Sequence, residues 1–417
     1  MTEENFASYR ELVDRITSGT ISDLTPEEEK LLQQLEYGRF IYPDDYDELE
    51  ALKFQHHLSR FEQSQIGFTL APTMACNMAC GYCFEENKRG RMPAKVIEGF
   101  IDFVEKRAPG LLRVDINWYG GEPLLAMGII EDITETLLDL GQQHNFLYTA
   151  SMISNGYLLS RETVDRLAEL KISMIQVTLD GPARLHNAKR PLKNGGDSFD
   201  RIVENISYAS TKMAIGVRVN IDKSFNKNII EEMLEELKRA DLQDRVGVYF
   251  GQLEASATVC ANISESCYNA NEFSAIEVEY YRLLLDHGFR IERLPSPTSA
   301  YCIAQQINGF LLDPDGDLYR CFNHAGDKSK TMGNIRDSIN YRHQNFMRLF
   351  RFDPFDDESC RNCSILPICL GGCPARRADR GMTGDEMCES WKHNLRPMLE
   401  IIARSKQLQA AMTAKEQ

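Results

Sequence analysis

The stretch Thr73-Met-Ala-Cys76-Asn-Met-Ala-Cys80-Gly-Tyr-Cys83-Phe-Glu decides how this chain is read. It sets three cysteines, spaced C-x3-C-x2-C, directly behind Ile66-Gly-Phe-Thr-Leu-Ala-Pro, a run with the composition of a β-strand. Thiolates on so short a loop can converge on one soft metal centre, such as an iron–sulfur cluster. A four-iron cube usually takes four cysteines, so three leave one iron open to chemistry. A structural zinc knuckle is the competing reading, and it needs a fourth Cys or His nearby. None lies between Cys83 and the end of the helix expected after it.

Outward from this loop the pattern alternates strand and helix, the mark of a parallel sheet with crossover helices. Strands are expected at 67–73, 114–119, 147–154, 173–179, 214–221 and 246–253. Helices are expected at 94–107, 129–142, 161–170, 199–210, 228–239 and 271–287. Periodicity permits either an open barrel or a doubly wound sheet, and in both the ligands collect at the C-terminal ends of the strands. Chemistry-bearing residues do cluster at those ends. The second strand runs into Gly120-Gly121-Glu122-Pro123, where glycines permit close backbone approach and a carboxylate could accept from a cationic amine. The third ends in Ser154-Asn155-Gly156, and the fourth in Thr178-Leu-Asp180-Gly-Pro-Ala-Arg-Leu-His186-Asn-Ala-Lys-Arg190. Each motif alone has a bland reading as a turn.

Seven of the 12 cysteines fall between Cys302 and Cys388, beyond a Pro- and Ser-containing stretch at 294–299 that marks a domain boundary. The first part reads Cys302-x13-Gly316-x4-Cys321 and contains a β-hairpin signal with Asp-Gly at its turn. The second reads Cys360-x2-Cys363-x5-Cys369-x3-Cys373, then x14 and Cys388, with Gly371-Gly372 allowing a tight wrap. So many ligands beside so little apolar core imply that metal binding supplies folding energy there. A pair of zinc ribbons is the rival reading of these seven.

Taken together, C-x3-C-x2-C, G-G-E-P, the D-G-P…R stretch and the downstream cysteine spacing resemble the radical S-adenosylmethionine (radical SAM) superfamily, and within it the peptide- and protein-modifying enzymes that carry a SPASM domain. The resemblance covers about residues 66–390, an order-of-magnitude boundary. It implies an α/β fold: a partial (β/α)6 TIM-like barrel at 66–293, a C-terminal Cys-rich SPASM domain at 294–393, a C-terminal helix at 394–417, and a small, mainly helical N-terminal extension at 1–65. It further implies that Cys76, Cys80 and Cys83 hold a SAM-binding 4Fe–4S cluster. Gly120, Gly121, Glu122 and Pro123 would bind the SAM amino group, and Ser154, Asn155, Thr178, Asp180 and Arg190 would line the cofactor site. Thr178 and Arg190 are the candidates for the SAM carboxylate and ribose, and Tyr82 for the adenine. Of two auxiliary 4Fe–4S clusters, the outer would take Cys360, Cys363, Cys369 and Cys388, and the inner Cys302, Cys321 and Cys373. The inner set is one ligand short; Cys260, Cys267 or a substrate thiolate are the candidates to complete it.

The implied reaction is reductive cleavage of SAM to a 5′-deoxyadenosyl radical, which removes hydrogen from a substrate carbon. The product would be a thioether or carbon–carbon crosslink in a ribosomally made peptide, with flavodoxin or ferredoxin as an electron donor. Anaerobic sulfatase maturases, which make formylglycine, are the chief alternative. They resemble this chain through the same hairpin but carry an Asp, their proposed base, where Phe322 stands here, ahead of Asn323 and His324. A small-molecule radical SAM dehydrogenase and a non-catalytic metal-bound scaffold are the remaining readings; a scaffold has no need of an amino-acid-shaped pocket beside its cluster.

The formal net charge of −15 argues against a nucleic-acid backbone as partner. No segment has the length and apolar content of a bilayer span, and Met1-Thr-Glu-Glu-Asn lacks the features of a signal peptide. A cytoplasmic location is therefore expected, with the cysteines reduced and available to metal. At the N-terminus, Thr25-Pro-Glu-Glu-Glu reads as a helix cap, and the region to residue 65 is either a packing extension or a peptide-docking element.

Overall fold

The computed structural model describes residues 3–19, 23–38, 40–83, 85, 90–254, 265–300, 302–380 and 384–416. The chain divides into two compact units, Met1–Phe54 and Gln55–Gln417. The first is helical, with helices Glu3–Thr17 and Pro26–Tyr37 and the start of Glu48–Phe61. Thr25 caps the second helix as its sequence promises. Its hydroxyl accepts from the Glu28 amide at 3.3 Å, and the Glu28 carboxylate accepts from the Thr25 amide at 2.8 Å. An ion pair between Arg15 and Glu28 joins the two helices.

The second unit is built on one eight-stranded sheet. Its strands are β1 (Gln65–Leu70), β2 (Arg113–Trp118), β3 (Leu147–Ser154), β4 (Ile172–Thr178), β5 (Ala214–Ile221), β6 (Gly247–Gln252), β7 (Gly309–Leu312) and β8 (Leu318–Tyr319). They lie in the order β6-β5-β4-β3-β2-β1-β7-β8. The first seven pair in parallel, and β8 turns back antiparallel on β7. Helices Ala94–Glu105, Met127–His144, Arg161–Glu169, Phe199–Ala209, Lys227–Arg239 and Ala270–Asp286 follow the six successive strands. This is the α/β architecture expected from the alternation, with bounds moved by a few residues.

Periodicity explains the layers. In Ala94–Glu105 the buried residues are Val96, Phe100, Phe103 and Val104, a single helical face. Phe68 of β1 meets Phe100 edge-on at 5.0 Å and Phe310 of β7 at 5.2 Å, so one aromatic cluster ties helix, barrel strand and hairpin. Side-chain caps at Ser160, Asn226 and Asn269 start three of the crossover helices. A short helix, Ala183–Lys189, is an element the periodicity did not reveal, because its seven residues offer too few turns to show a face.

The hairpin forms where expected, but it belongs to the sheet. β7 pairs with β1 in register Gly67↔Gly309 to Leu70↔Leu312, so the strand leading into the cysteine loop is flanked by the Cys-rich segment. Gly309 is required where β7 begins, because a Cβ there would lie 2.3 Å from the Ile303 carbonyl oxygen of the turn that precedes the strand. Arg320, 1 % exposed, locks the arrangement from inside. Its guanidinium donates to the carbonyls of Ala304 and Gln306, each at 2.7 Å, and to that of Gly309. The C-terminal helix Trp391–Glu416 packs on Ala270–Asp286, where the Asn394 amide reaches the Ser274 carbonyl at 3.1 Å and the Glu277 carboxylate at 2.8 Å. Among the described residues, no helix is long and apolar enough to cross a membrane.

Candidate active site

The cysteine loop leaves β1 and is clasped from three directions. From the β2 side, the Gly121 amide donates to Thr73 O at 3.2 Å and the Glu122 amide to Ala75 O at 2.9 Å. From the β4 side, the Ala79 amide donates to Pro191 O and the Lys193 amide to Asn77 O, both at 2.9 Å. From the β3 end, Asn155 Nδ2 reaches Asn77 Oδ1 at 2.7 Å and Cys76 Sγ at 3.8 Å. The paired glycines make the first clasp possible. Gly120 has φ +119°, and a Cβ on it would lie 2.2 Å from Thr73 O; one on Gly121 would lie 2.5 Å from Met74 O and Ala75 O. The close approach these glycines serve is therefore that of the cysteine loop itself.

Glu122 sits beneath this junction, with no exposed surface. Its carboxylate accepts from Ser154 Oγ at 2.9 Å, the Asn155 amide at 2.8 Å and the Leu124 amide at 3.2 Å. Burial pushes its pKa up to about 7, against the pull of those donors. In this arrangement Glu122 positions Ser154 and Asn155, while the cavity wall beside it is made by Gly120 and Gly121.

On the opposite wall, Asp180 accepts from the Asn220 amide at 3.0 Å and from the Tyr82 hydroxyl. Arg190 donates to the same hydroxyl and lies 3.5 Å from the Asp180 carboxylate. The Arg190 Nε is buried without a hydrogen-bond partner. His186 holds this loop together: Nδ1 accepts from the Asp180 amide at 3.1 Å, and Nε2 meets Ser198 Oγ at 3.2 Å. Burial, then the neighbouring Arg190 charge, lower its pKa to about 3, so the ring is neutral. His186 is the positioning residue of the wall, a role that its place in the D-G-P…R stretch did not disclose.

These walls enclose a cavity of about 690 Å³. Cys76, Cys80, Tyr82, Cys83, Gly120, Gly121, Ser154, Asn155, Thr178 and Arg190 all line it; Glu122, Pro123 and Asp180 stand behind it. Sequence reasoning missed a set of polar side chains in its lining: Gln176, Arg218, Asn220 and Tyr249. They are linked by hydrogen bonds from Tyr249 to Gln176, Arg218 Nε to Asn220 Oδ1 at 2.8 Å, and Asn220 Nδ2 to the Tyr82 hydroxyl at 3.3 Å. The available signal was Arg218 and Asn220 alternating within a strand otherwise apolar enough to be buried on both faces. At its far end the cavity reaches Phe322, Asn323, Arg376 and Cys388 of the Cys-rich segment.

Six of the remaining cysteines gather in two places, and Cys388 lines the far end of the cavity. Cys302, Cys321 and Cys373 pack around Ala304, Leu349 and Ala375 and lie within electrostatic range of one another. Burial raises the first two to about 11 and about 12. Cys360, Cys363 and Cys369 form the second group, in which burial raises Cys360 and takes Cys369 to about 11. Their loop turns through three successive left-handed residues, Leu370 (φ 42°), Gly371 (φ 79°) and Gly372 (φ 73°), as the two glycines allow. Cys267 lies between Ser266 and Tyr268, whose carbonyls accept from Lys223 N and Gln252 Nε2. Cys260 lies outside the described residues.

Residues 70–237 match the radical SAM superfamily model. The chain is 26% identical over 357 residues to the cysteine-type anaerobic sulfatase-maturating enzyme of Clostridium perfringens, covering 76% of this chain and 91% of that one. It is 26% identical over 347 residues to the mycofactocin maturase MftC of Mycolicibacterium smegmatis, covering 76% and 81%. Among solved structures it resembles anSMEcpe with bound AdoMet and Kp18Cys peptide (TM-score 0.65, 19% identity, 82% of this chain and 99% of that one). It also resembles Streptococcus suis SuiB bound to precursor peptide SuiA (TM-score 0.53, 18% identity, 83% of each chain). At these identities the structural likeness is one of fold.

The residues present fit the cofactors of that superfamily, SAM and 4Fe–4S clusters. Three thiols face a cavity large enough for a nucleoside, a buried guanidinium nitrogen in its wall lacks a partner, and two further thiol groups sit where burial penalises an uncompensated thiolate. Metal coordination removes that penalty by binding the deprotonated sulfur.

Proposed function

We propose that this chain, whose residues 70–237 form a radical SAM domain, is a maturase that oxidatively modifies a peptide or protein. The finer reading is a thioether or carbon–carbon crosslink in a ribosomally made precursor peptide. One observation carries it: a single cavity runs from the first cysteine loop to the Cys-rich segment, so a substrate held there meets both. When bound, the cluster on Cys76, Cys80 and Cys83 and its SAM would supply the 5′-deoxyadenosyl radical that takes hydrogen from substrate carbon.

The chain's own residues bind, orient and shield. Thr178 and Arg190 offer donors for the polar groups of SAM, with the unpartnered Arg190 Nε the natural site for a carboxylate oxygen, while Ser154, its hydroxyl donated to Glu122, lines the wall beside them. Tyr82, fixed by Asp180 and Arg190, forms the wall beside the nucleoside. Gln176, Arg218, Asn220 and Tyr249 provide a polar lining for the substrate backbone. The inner group of Cys302, Cys321 and Cys373 would take a cluster one ligand short, leaving a site for a substrate thiolate. A flavodoxin or ferredoxin would deliver the electron.

Sulfatase maturation is the second reading, favoured by the curated relative from Clostridium perfringens. Against it stands the apolar wall at Phe322, whose ring meets Tyr119 edge-on at 5.0 Å where those enzymes would place a carboxylate. Mass spectrometry separates the two. The anaerobically reconstituted enzyme is incubated with SAM, dithionite and a Cys-containing precursor peptide encoded beside its gene, and in parallel with a sulfatase-motif peptide. Loss of two hydrogens per crosslink in the first, with no change in the second, is expected; replacement of sulfur by carbonyl oxygen in the second would overturn the crosslinking reading.

A further inference from the structure

Cationic side chains reach cysteine sulfur in the group formed by Cys360, Cys363 and Cys369. Arg377, on helix Pro374–Arg380, donates through Nη2 to Cys360 Sγ at 3.3 Å. The rest of its guanidinium is fixed: Nε donates to Gly371 O at 3.0 Å, Nη1 to Asp357 Oδ2 at 3.0 Å, and Cζ lies 4.2 Å from the centre of the Phe352 ring. Lys392, at the start of the C-terminal helix, places Nζ 3.3 Å from Cys363 Sγ. Elsewhere the neighbours differ. The sulfur of Cys76 receives neutral donors, the Met78 amide at 3.4 Å and Asn155 Nδ2 at 3.8 Å. In the inner group, the buried Arg320 directs its Nη groups to three backbone carbonyls, and Arg376, in electrostatic range of Cys373, is ion-paired with Glu254 and, at 3.0 Å, with Glu389.

Hydrogen bonds to a cluster's sulfurs and nearby positive charge stabilise the reduced, more negative state and so raise its potential. We infer that Arg377 and Lys392 set the potential of the outer cluster and make it the auxiliary centre that accepts an electron most readily. The inference rests on the reading that Cys360, Cys363, Cys369 and Cys388 hold a four-iron cluster. The electron it takes is the one released when a substrate carbon radical closes onto a thiolate; the thiol proton leaves to solvent. Across SAM cleavage and crosslinking the substrate thus loses one hydrogen atom, one proton and one electron. Arg377 and Lys392 touch neither substrate nor SAM; they act through the sulfurs.

The test is an EPR-monitored potentiometric titration of the full reconstituted chain in which Cys76, Cys80 and Cys83 are replaced by Ala, which leaves the auxiliary signals. Lys392→Met changes an exposed side chain, and Arg377→Lys keeps the charge while breaking the fork of donors. With Lys392→Met, the outer centre becomes about tenfold harder to reduce, 59 mV for one electron, while the inner centre does not move. Arg377→Lys shifts it in the same direction by less. An unchanged outer potential at full iron content overturns the inference. Loss of four irons in Lys392→Met overturns it too, because the side chain would then be holding the site together. Zinc in place of iron at these cysteines, before any substitution, would instead sink the underlying cluster assignment.

Discussion

In the barrel loop, Cys76, Cys80 and Cys83 lie on a segment held by backbone hydrogen bonds from the β2 and β4 sides and by the Asn155 side chain from the β3 end, and they open onto a cavity. In the C-terminal segment, the cysteines are fixed by side chains: Arg320 spans three carbonyls between Cys302 and Cys321, and Arg377 ties Cys360 to the Gly371 turn. The first arrangement keeps the thiols precisely placed while leaving their far side free for a ligand. In the second, two sulfurs of the outer group, Cys360 and Cys363, receive donors from the cationic side chains Arg377 and Lys392. Such a difference suits a site that does chemistry beside sites that store or pass electrons.

Substitutions that disturb one region and spare the other can break this contrast. The largest effect is expected at Gly121→Val, whose Cβ meets backbone oxygens at 2.5 Å and so must displace the cysteine loop. Reductive SAM cleavage should fall by more than about 100-fold, the scale of an ångström's misplacement, with the C-terminal iron retained. A normal rate would show that the glycine contact does not set the loop. Next comes Arg320→Met, which strands three buried carbonyls at a cost of about 3 kcal/mol. Chemical denaturation should register that loss together with iron from the inner group, whereas an unchanged midpoint would remove Arg320 from the account.

A smaller effect depends on pH. His186 is neutral in the folded chain with a pKa of about 3, below its ordinary 6.5, so the unfolded chain binds the proton first as pH falls. The stabilisation is complete above pH 6.5 and is lost progressively toward pH 3, by about 2 kcal/mol between pH 7 and 5. Urea titrations of wild type and His186→Gln at those two pH values check this: the variant should lose less stability on acidification, and parallel losses would contradict it. Smallest is Asn155→Ala, which removes one neutral donor from the Cys76 loop. It should cost about 1 kcal/mol and lower SAM affinity only slightly; a hundredfold drop would mean that Asn155 contacts SAM directly.

The barrel was legible because its signals are local. Strand and helix periods and motif residues at strand ends all depend on neighbours in the chain, as does the Thr25 cap in the N-terminal unit. What was not legible depends on tertiary placement. The pairing of β7 with β1 joins segments far apart in sequence, and nothing in Gly309–Leu312 names its partner. Glu122 reads as a ligand in sequence, yet the fold encloses it, since only the packed structure brings Ser154 and Asn155 to its oxygens. Arg320 and Arg377 escaped for a related reason: arginine is usually a surface residue, and only the geometry reveals guanidinium groups turned inward.

The claim on which the rest depends is that Cys76, Cys80 and Cys83 start the chemistry independently of the C-terminal cysteines. Its most direct test is 5′-deoxyadenosine formation by anaerobically reconstituted wild type and Cys80→Ala, with iron counted in both. Wild type should form it steadily and Cys80→Ala not at all, with a difference of about four irons, one cube, between them. Production that continues at the wild-type rate in Cys80→Ala would contradict the claim.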